Sequence, residues 1–274
     1  MEDLGISSAD YQAFCIFLEK SCGIVLGNSK QYLVNSRLKK ILEENKVPSV
    51  GALLNKVEMD RSLRNRVVDA MTTNETYWFR DSHPFVALKD VLLPEIVNDR
   101  CKRPRIWCAA SSTGQEPYTI SMMVDDFMSS KPGALSDVEI IATDISKRVL
   151  DIAKQGEYDE LTLSRGLSAE QRSRYFMPLG DKCRVKDDIR RRVRFNELNL
   201  MTSFSSLGKF QVIFCRNVLI YFSSDLKKDI INRMADALVP GGYLFLGGSE
   251  SMASYSDRFE TVRYKGGLVY KLAK

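Results

Sequence analysis

The chain has 274 residues, 44% of them apolar and 27% charged, with 40 Lys and Arg against 35 Asp and Glu for a net charge of +5. These are the proportions of an ordinary globular protein, large enough for one big domain or two unequal ones, and no apolar run reaches the roughly 20 residues that a membrane helix needs. A single histidine and six scattered cysteines without a CxxC argue against a metal site and against catalysis by paired histidines.

The start, Met-Glu-Asp-Leu-Gly, lacks the basic and apolar regions of an export signal, so a cytoplasmic location with reduced thiols is expected. Residues 1–80 then read as a small all-helical domain. Ser8 or Asp10 can cap a first helix with Tyr11, Phe14, Phe17 and Leu18 inward, interrupted by Gly23 and Gly27. A second helix spans residues 31–44 and turns Val34, Leu38, Ile41 and Leu42 inward; its outer face carries Lys30, Arg37, Lys40 and Glu44 and is mostly positive. A third helix begins near Ser49. A fourth, from Arg61, buries Leu63, Val67, Ala70 and Met71. Basic stripes at residues 30–40, 61–66 and 182–194 suit nucleic acid, an acidic protein surface or anionic lipid, or are plain solvated faces.

Residues 81–274 change character. After a helix over 84–98, opened by His83-Pro84, short apolar strands alternate with helices: strands at 105–109, 138–143, 193–197, 211–215 and 243–246, helices at 116–129, 146–155 and 225–238. A hairpin over 259–264 and 268–272 closes the chain through Lys265-Gly-Gly267. The pattern predicts an α/β fold with a mostly parallel, doubly wound sheet and ligands at the carboxyl ends of its strands. The alternation lapses over about 156–192, too long for a plain connection, which predicts an inserted subdomain at the sheet edge.

The first βα turn, Ala109-Ala-Ser-Ser-Thr-Gly-Gln-Glu-Pro-Tyr118, has one glycine where a dinucleotide fingerprint has three. Glu116 sits where a pyrophosphate would approach, so NAD and FAD are disfavoured; a carboxylate there suits a cationic ligand end, such as the amino group of a methionine moiety. Pro117 fits the first helical position. Asp144 ends the second strand, where an acid accepts hydrogen bonds from ribose hydroxyls. In Phe214-Cys-Arg-Asn-Val-Leu-Ile-Tyr-Phe222, an apolar strand ends abruptly in Arg216 and Asn217, which are not expected to be buried without partners. Ahead of the sheet, Met71-Thr-Thr-Asn-Glu-Thr-Tyr-Trp-Phe-Arg80 sets polar groups and one Arg among aromatics, as suits a cavity for an adenosyl group with a handle for a carboxylate.

These four segments, in their order along the chain from Met71–Arg80 through the first βα turn and Ala142-Thr-Asp-Ile145 to Cys215–Phe222, resemble the CheR family of S-adenosylmethionine-dependent methyltransferases, which esterify glutamates of bacterial chemoreceptors; the likeness covers nearly the whole chain. It implies a class I methyltransferase domain over residues 81–274 with an antiparallel C-terminal hairpin, behind a helical receptor-recognition domain over residues 1–80. It implies cofactor contacts from Asn74, Thr76, Arg80, Glu116, Asp144, Asn199, Leu200, Arg216 and Asn217, with Asn199 and Leu200 beside the adenine. Tyr221 would lie near the transferring methyl group, and Arg80 would position the acceptor carboxylate. Arg37, Lys39 and Lys40 would face the acidic methylation helices of the receptor. Gln115 stands where the family often has an acid, and Trp78 where Phe is common. Met177-Pro-Leu-Gly-Asp-Lys-Cys-Arg184 holds only Gly180 where some members dock a receptor C-terminal peptide on a glycine-rich loop, so recognition without that tether is expected. Further expectations are a monomer that meets membranes only through receptors, does not bind nucleic acid, and shares one pocket between S-adenosylmethionine and S-adenosylhomocysteine. Two rivals stay open: a nucleic-acid methyltransferase using the basic stripes, and a module that binds the cofactor without turnover.

Overall fold

The computed structural model describes residues 6–252, 254–264 and 266–273; the acidic start and Lys265 of the expected hairpin turn lie outside them. Four helices come first: α1 (Ser8–Cys22), α2 (Gln31–Glu44), α3 (Val50–Met59) and α4 (Arg61–Met71). Ser7, rather than Ser8 or Asp10, caps α1, its hydroxyl accepting from Asp10 N at 3.0 Å. The cap residue has to be extended, and Asp10 already lies in the first turn, where its charge meets the positive helix end. Ser49 and Asp60 cap α3 and α4 in the same way. Phe14, Leu18, Val34, Leu38, Leu53 and Val67 fill the centre of this module, while Phe17 and Ala70 are only half-buried.

Arg37 does not lie on the outer face of α2. Its guanidinium donates to Met71 O at 2.7 Å, Thr72 O at 3.1 Å and Thr73 Oγ1 at 3.1 Å. The last carbonyls of a helix have no partner within it, and a long side chain one step from buried Leu38 reaches those at the end of α4. Lys39 and Lys40 remain exposed.

The expected helix over 84–98 is divided into α5 (His83–Ala87), a π-helical turn at Leu88–Leu92 and α6 (Leu93–Asn98). Pro94 lacks the N–H that would bond Asp90 O, and Leu93 N reaches back five residues to Leu88 O. The alternating part follows: β1 (Arg105–Ala109), α7 (Gln115–Ser130), β2 (Glu139–Asp144) and α8 (Lys147–Gln155). Next come β3 (Glu157–Asp159), α9 (Glu160–Ser164), α10 (Ala169–Tyr175), β4 (Phe176–Leu179), β5 (Lys182–Val185) and α11 (Asp187–Arg190). The chain closes with β6 (Val193–Glu197), β7 (Phe210–Cys215), α12 (Ser224–Ala237), β8 (Leu238–Leu246), β9 (Phe259–Tyr264) and β10 (Gly267–Leu272).

Seven of these strands form one sheet in the order β6-β2-β1-β7-β8-β10-β9. The first five are parallel; β10 is antiparallel to both β8 and β9. Alternation along β1 sends Ile106 and Cys108 into one apolar layer and Trp107 and Ala109 into the other, so both faces are covered, as parallel sheets require. Pro117 is the third residue of α7, not the first; first-turn N–H groups have no helical partner, so proline removes no bond there.

Over 156–192 the chain builds a separate antiparallel sheet, β3-β5-β4. Trp78 joins it to the rest of the molecule, meeting Tyr158 and Phe176 edge-to-face with centroids at 4.9 and 5.2 Å. Gly166 lies against this joint at φ +100°, where a Cβ would come within 2.0 Å of Trp78 O.

Candidate active site

A cleft lies over the carboxyl ends of β1, β2 and β7, with about 940 Å³ of empty space when its open mouth is counted. Its walls come from both halves of the chain. The turn after β1 is tightly coiled, with left-handed φ at Ala110, Ser112 and Gly114. At Gly114 a Cβ would meet Ala153 Cβ at 2.9 Å and Tyr158 Oη at 3.0 Å, so only glycine brings the turn this close to α8. Ser112 Oγ donates to Asn74 O at 2.9 Å, tying the aromatic-rich segment to the turn.

Asp144 is 6% exposed. Its Oδ2 accepts from Ser112 N at 2.8 Å and Oδ1 from Ser146 N at 2.9 Å, leaving each oxygen a further acceptor direction. Burial raises its pKa, opposed by the backbone N–H groups of Ser146, Ser112 and Ile145.

Behind the cleft, Arg216 has a side chain only 1% exposed, held by Glu116 at 2.5 Å and Asp81 at 2.6 Å. It also donates to Arg80 O at 2.9 Å. Burial works to lower its pKa, but the two carboxylates outweigh it and the guanidinium is held more firmly protonated. Glu116 Oε1 additionally accepts from Cys108 Sγ at 3.1 Å; burial, then Glu116, push that thiol far above the ordinary range, so it is an inert donor. With Asp144 ionised, the three acids Glu116, Asp81 and Asp144 outnumber the two guanidinium groups of Arg216 and Arg80, leaving an excess of negative charge.

The ten sequence-chosen pocket residues all line this one cleft. Arg80 stacks over the Tyr77 ring at 5.4 Å and donates to Glu75 O at 3.1 Å. Among the described residues no carboxylate lies within 4 Å of it, unlike Arg216. Asn217 takes φ +60° directly after β7, and Tyr221 ends the short 3-10 turn Leu219–Tyr221. Asn74 and Thr76 lie on the segment leading to Arg80, and Asn74 Nδ2 donates to Thr72 Oγ1 at 3.0 Å. Leu200 supplies an apolar wall. Asn199 is spent on architecture: Nδ2 donates to Ser21 O at 2.8 Å and Oδ1 accepts from Met201 N at 3.0 Å. Of the other sequence-chosen residues, Lys39 and Lys40 lie away from the cleft, and Arg37 touches its wall from behind at Thr72 and Thr73.

The cleft fits a cationic adenosyl group in three respects. Its charge excess suits a sulfonium and an ammonium, Asp144 has free acceptor capacity for paired hydroxyls, and two buried polar atoms at its wall, Ser111 Oγ and Arg216 Nε, have no partner in the protein. Among the described residues no group of three or more His, Cys, Asp or Glu is arranged to hold a metal, and no helix is long and apolar enough to cross a membrane. Sequence reasoning missed Asp81 and Glu250, whose carboxylates are spent on Arg216 and on backbone N–H groups; Asp81 meets Arg216, and Glu250 meets Asn217 as well as nearby Gly247, so the partners that matter at the cleft lie far off in the chain.

Comparison with known proteins agrees with this geometry. Residues 74–267 match the family model of the CheR methyltransferase SAM binding domain, and residues 9–72 that of the CheR methyltransferase all-alpha domain. Chemotaxis protein methyltransferase 1 of Vibrio cholerae is 53% identical over 99% of this chain and 100% of its own length. Chemotaxis protein methyltransferase 1 of Pseudomonas aeruginosa is 50% identical, covering 98% and 99%. The chemotaxis protein methyltransferase of Escherichia coli is 34% identical, covering 100% and 94%. With a doubly wound class I sheet, a cleft suited to S-adenosylmethionine and both family models matched in order, the chain belongs to the CheR methyltransferase family.

Proposed function

We propose that the chain methylates glutamate side chains in the cytoplasmic methylation helices of chemoreceptors, forming methyl esters and S-adenosylhomocysteine. The observation that carries the reading is the pair of cations at the cleft. Arg216 is neutralised by Glu116 and Asp81, whereas Arg80 faces the cleft with no carboxylate partner among the described residues. A fork of N–H donors beside a site for a cationic cofactor is matched to an incoming carboxylate.

The bound cofactor supplies an electrophilic methyl group on a sulfonium. Asp144, Glu116 and Leu200 would hold it while Arg80 orients an oxygen of the acceptor carboxylate to take that methyl, the methyl–sulfur electron pair staying with sulfur. No proton moves, because a glutamate is ionised at neutral pH, and this accords with a cleft lined by no histidine. Asp144 takes the ribose hydroxyls, with Leu200 and Asn199 beside the adenine. Glu116 draws the cationic end of the methionine moiety and is kept in place by Arg216. Asn74, Thr76 and Asn217 complete the wall, and Arg80 and Tyr221 orient the acceptor. Charge cancels as the two reactants meet, so a partly desolvated site with Tyr221 and Phe222 in its wall favours the transition state; alignment can lower such a barrier by up to roughly 7–11 kcal/mol in ideal systems.

In this reading residues 1–80 recognise the receptor through the exposed Lys39 and Lys40, and residues 81–274 carry the chemistry with 156–192 as a subdomain. The enzyme works as a cytoplasmic monomer, reaches membranes only through receptors and binds neither nucleic acid nor a receptor C-terminal pentapeptide. Support against nucleic acid comes from the stripe at 182–194, where Arg190, Arg191, Arg192 and Arg194 are all paired with carboxylates. Labelled S-adenosylmethionine mixed with receptor fragments tests the reading: alkali-labile methanol is expected, and its absence overturns it. Equal methylation of receptors with and without their last five residues is the expected result for the tether.

A further inference from the structure

The turn that carries Asn217 and Tyr221 into the cleft is held by a carboxylate from elsewhere in the chain. Asn217 is left-handed at φ +60°, a region that asparagine tolerates better than other side-chain-bearing residues. Glu250, in the loop after β8, holds this turn from outside it. Its Oε2 accepts from Asn217 N and from Gly247 N, each at 2.7 Å, and its Oε1 accepts from Ile220 N at 3.2 Å. Among the described residues no Lys or Arg lies within 4 Å of it, so its charge is answered chiefly by backbone donors. The approach is close. A Cβ on Gly247 would lie 2.7 Å from Glu250 Oε2 and from Asn217 Nδ2, and 2.8 Å from Asn217 N. The other end of the turn is tied by Val25 N donating to Tyr221 O at 2.9 Å.

We propose that Glu250 is a positioning residue for methyl transfer: by gripping the N–H groups of Asn217 and Ile220 it sets where Tyr221 stands at the mouth of the cleft. The proposal rests on the place given above to Tyr221 beside the reacting groups. Glu250 itself does not line the cleft and acts through the backbone it holds. A neutral amide cannot replace it. Gln offers one acceptor where three donors converge, and its NH2 confronts at least one of them.

The test compares wild type, Glu250→Gln and Tyr221→Phe by three measurements: methylation kinetics with receptor fragments, calorimetric affinity for S-adenosylhomocysteine, and amide hydrogen exchange of the peptide covering residues 216–222. For Glu250→Gln, kcat is expected to fall about 30- to 100-fold, the scale on which a misplacement of about 1 Å acts. Affinity for S-adenosylhomocysteine falls by no more than about tenfold, less than kcat does, because Asp144, Glu116 and Leu200 are untouched and only the wall at Asn217 is disturbed, and exchange in the 216–222 peptide rises. Unchanged exchange, or a kcat within threefold of wild type, overturns the proposal. So does a loss of cofactor affinity that matches the loss of kcat, since that marks general collapse of the cleft. A fully active Tyr221→Phe would instead show that the Tyr221 hydroxyl is not what orients the acceptor, while the exchange and turnover of Glu250→Gln would still report on Glu250.

Discussion

Asp144→Asn isolates what one carboxylate contributes at the end of β2. Both oxygens already accept a backbone N–H, from Ser112 at 2.8 Å and Ser146 at 2.9 Å, and each keeps one direction for a ligand hydroxyl. An amide of the same shape has a single acceptor. Its NH2 must oppose one of those N–H groups, and one of the two ligand-facing positions is lost. The other survives without its charge. At about 1.5–3 kcal/mol for a hydrogen bond to a charged group, the change amounts to about 3 kcal/mol, or about a hundredfold in Kd. Calorimetric titration with S-adenosylhomocysteine at pH 8 measures it. Wild-type affinity should also weaken as pH falls, because burial lifts the pKa of Asp144 and the carboxylate takes up its proton earlier than a free Asp. The variant has nothing to protonate there. A Kd within threefold of wild type, or a variant that keeps the wild-type acid slope, refutes the assignment of Asp144 to the ribose.

Arg80→Lys should lower kcat about a hundredfold while S-adenosylhomocysteine binds nearly as before, because an ammonium cannot reproduce the guanidinium fork; the split between kcat and Kd is the readout. Arg216→Met leaves two carboxylates behind the cleft without their cation, which should cost about 3–5 kcal/mol of stability. Arg258→Met, removing an exposed pair with Asp236, should cost at most about 1 kcal/mol. Urea denaturation followed by the fluorescence of Trp78 and Trp107, both fully buried in the α/β part, compares the two variants, and equal costs would contradict the ranking. Burial, then the charge of Arg216, hold the pKa of His83 below its ordinary value. The unfolded chain therefore binds a proton that the folded chain does not, and stability falls as pH drops below about 6.5. His83→Gln should flatten the decline of Tm between pH 7 and pH 5 without changing turnover at pH 8.

The legible parts of the molecule were those governed by local pattern. The strand at 105–109 and the helix at 31–44 were readable to the residue, since turn signals bound them on both sides. The four motif segments were readable too, because a βα sheet must bring strand ends together. What escaped notice depends on contacts across long stretches of chain. Arg37 belongs by spacing to a solvated face, yet the carbonyls ending α4, 34 residues later, draw it inward. Asp81 and Glu250 carry no local mark, since each is defined by a partner more than 30 residues away or by the backbone of another loop. The π-helical turn at Leu88–Leu92 was foreshadowed only by Pro94, whose missing donor can equally end a helix.

The seam between the helical module and the sheet is stitched at the cleft itself. Ser21 O holds Asn199; Asp69 accepts from Arg148 Nε at 3.0 Å and from the hydroxyl of Ser146, whose N–H caps Asp144. Exchanging the first 80 residues between relatives to redirect receptor choice would therefore also swap one bank of the adenosyl crevice. A hybrid enzyme would keep its affinity for the methyl donor only where the transplanted module brings an acid at position 69 and a carbonyl reaching Asn199 along with its new basic surface.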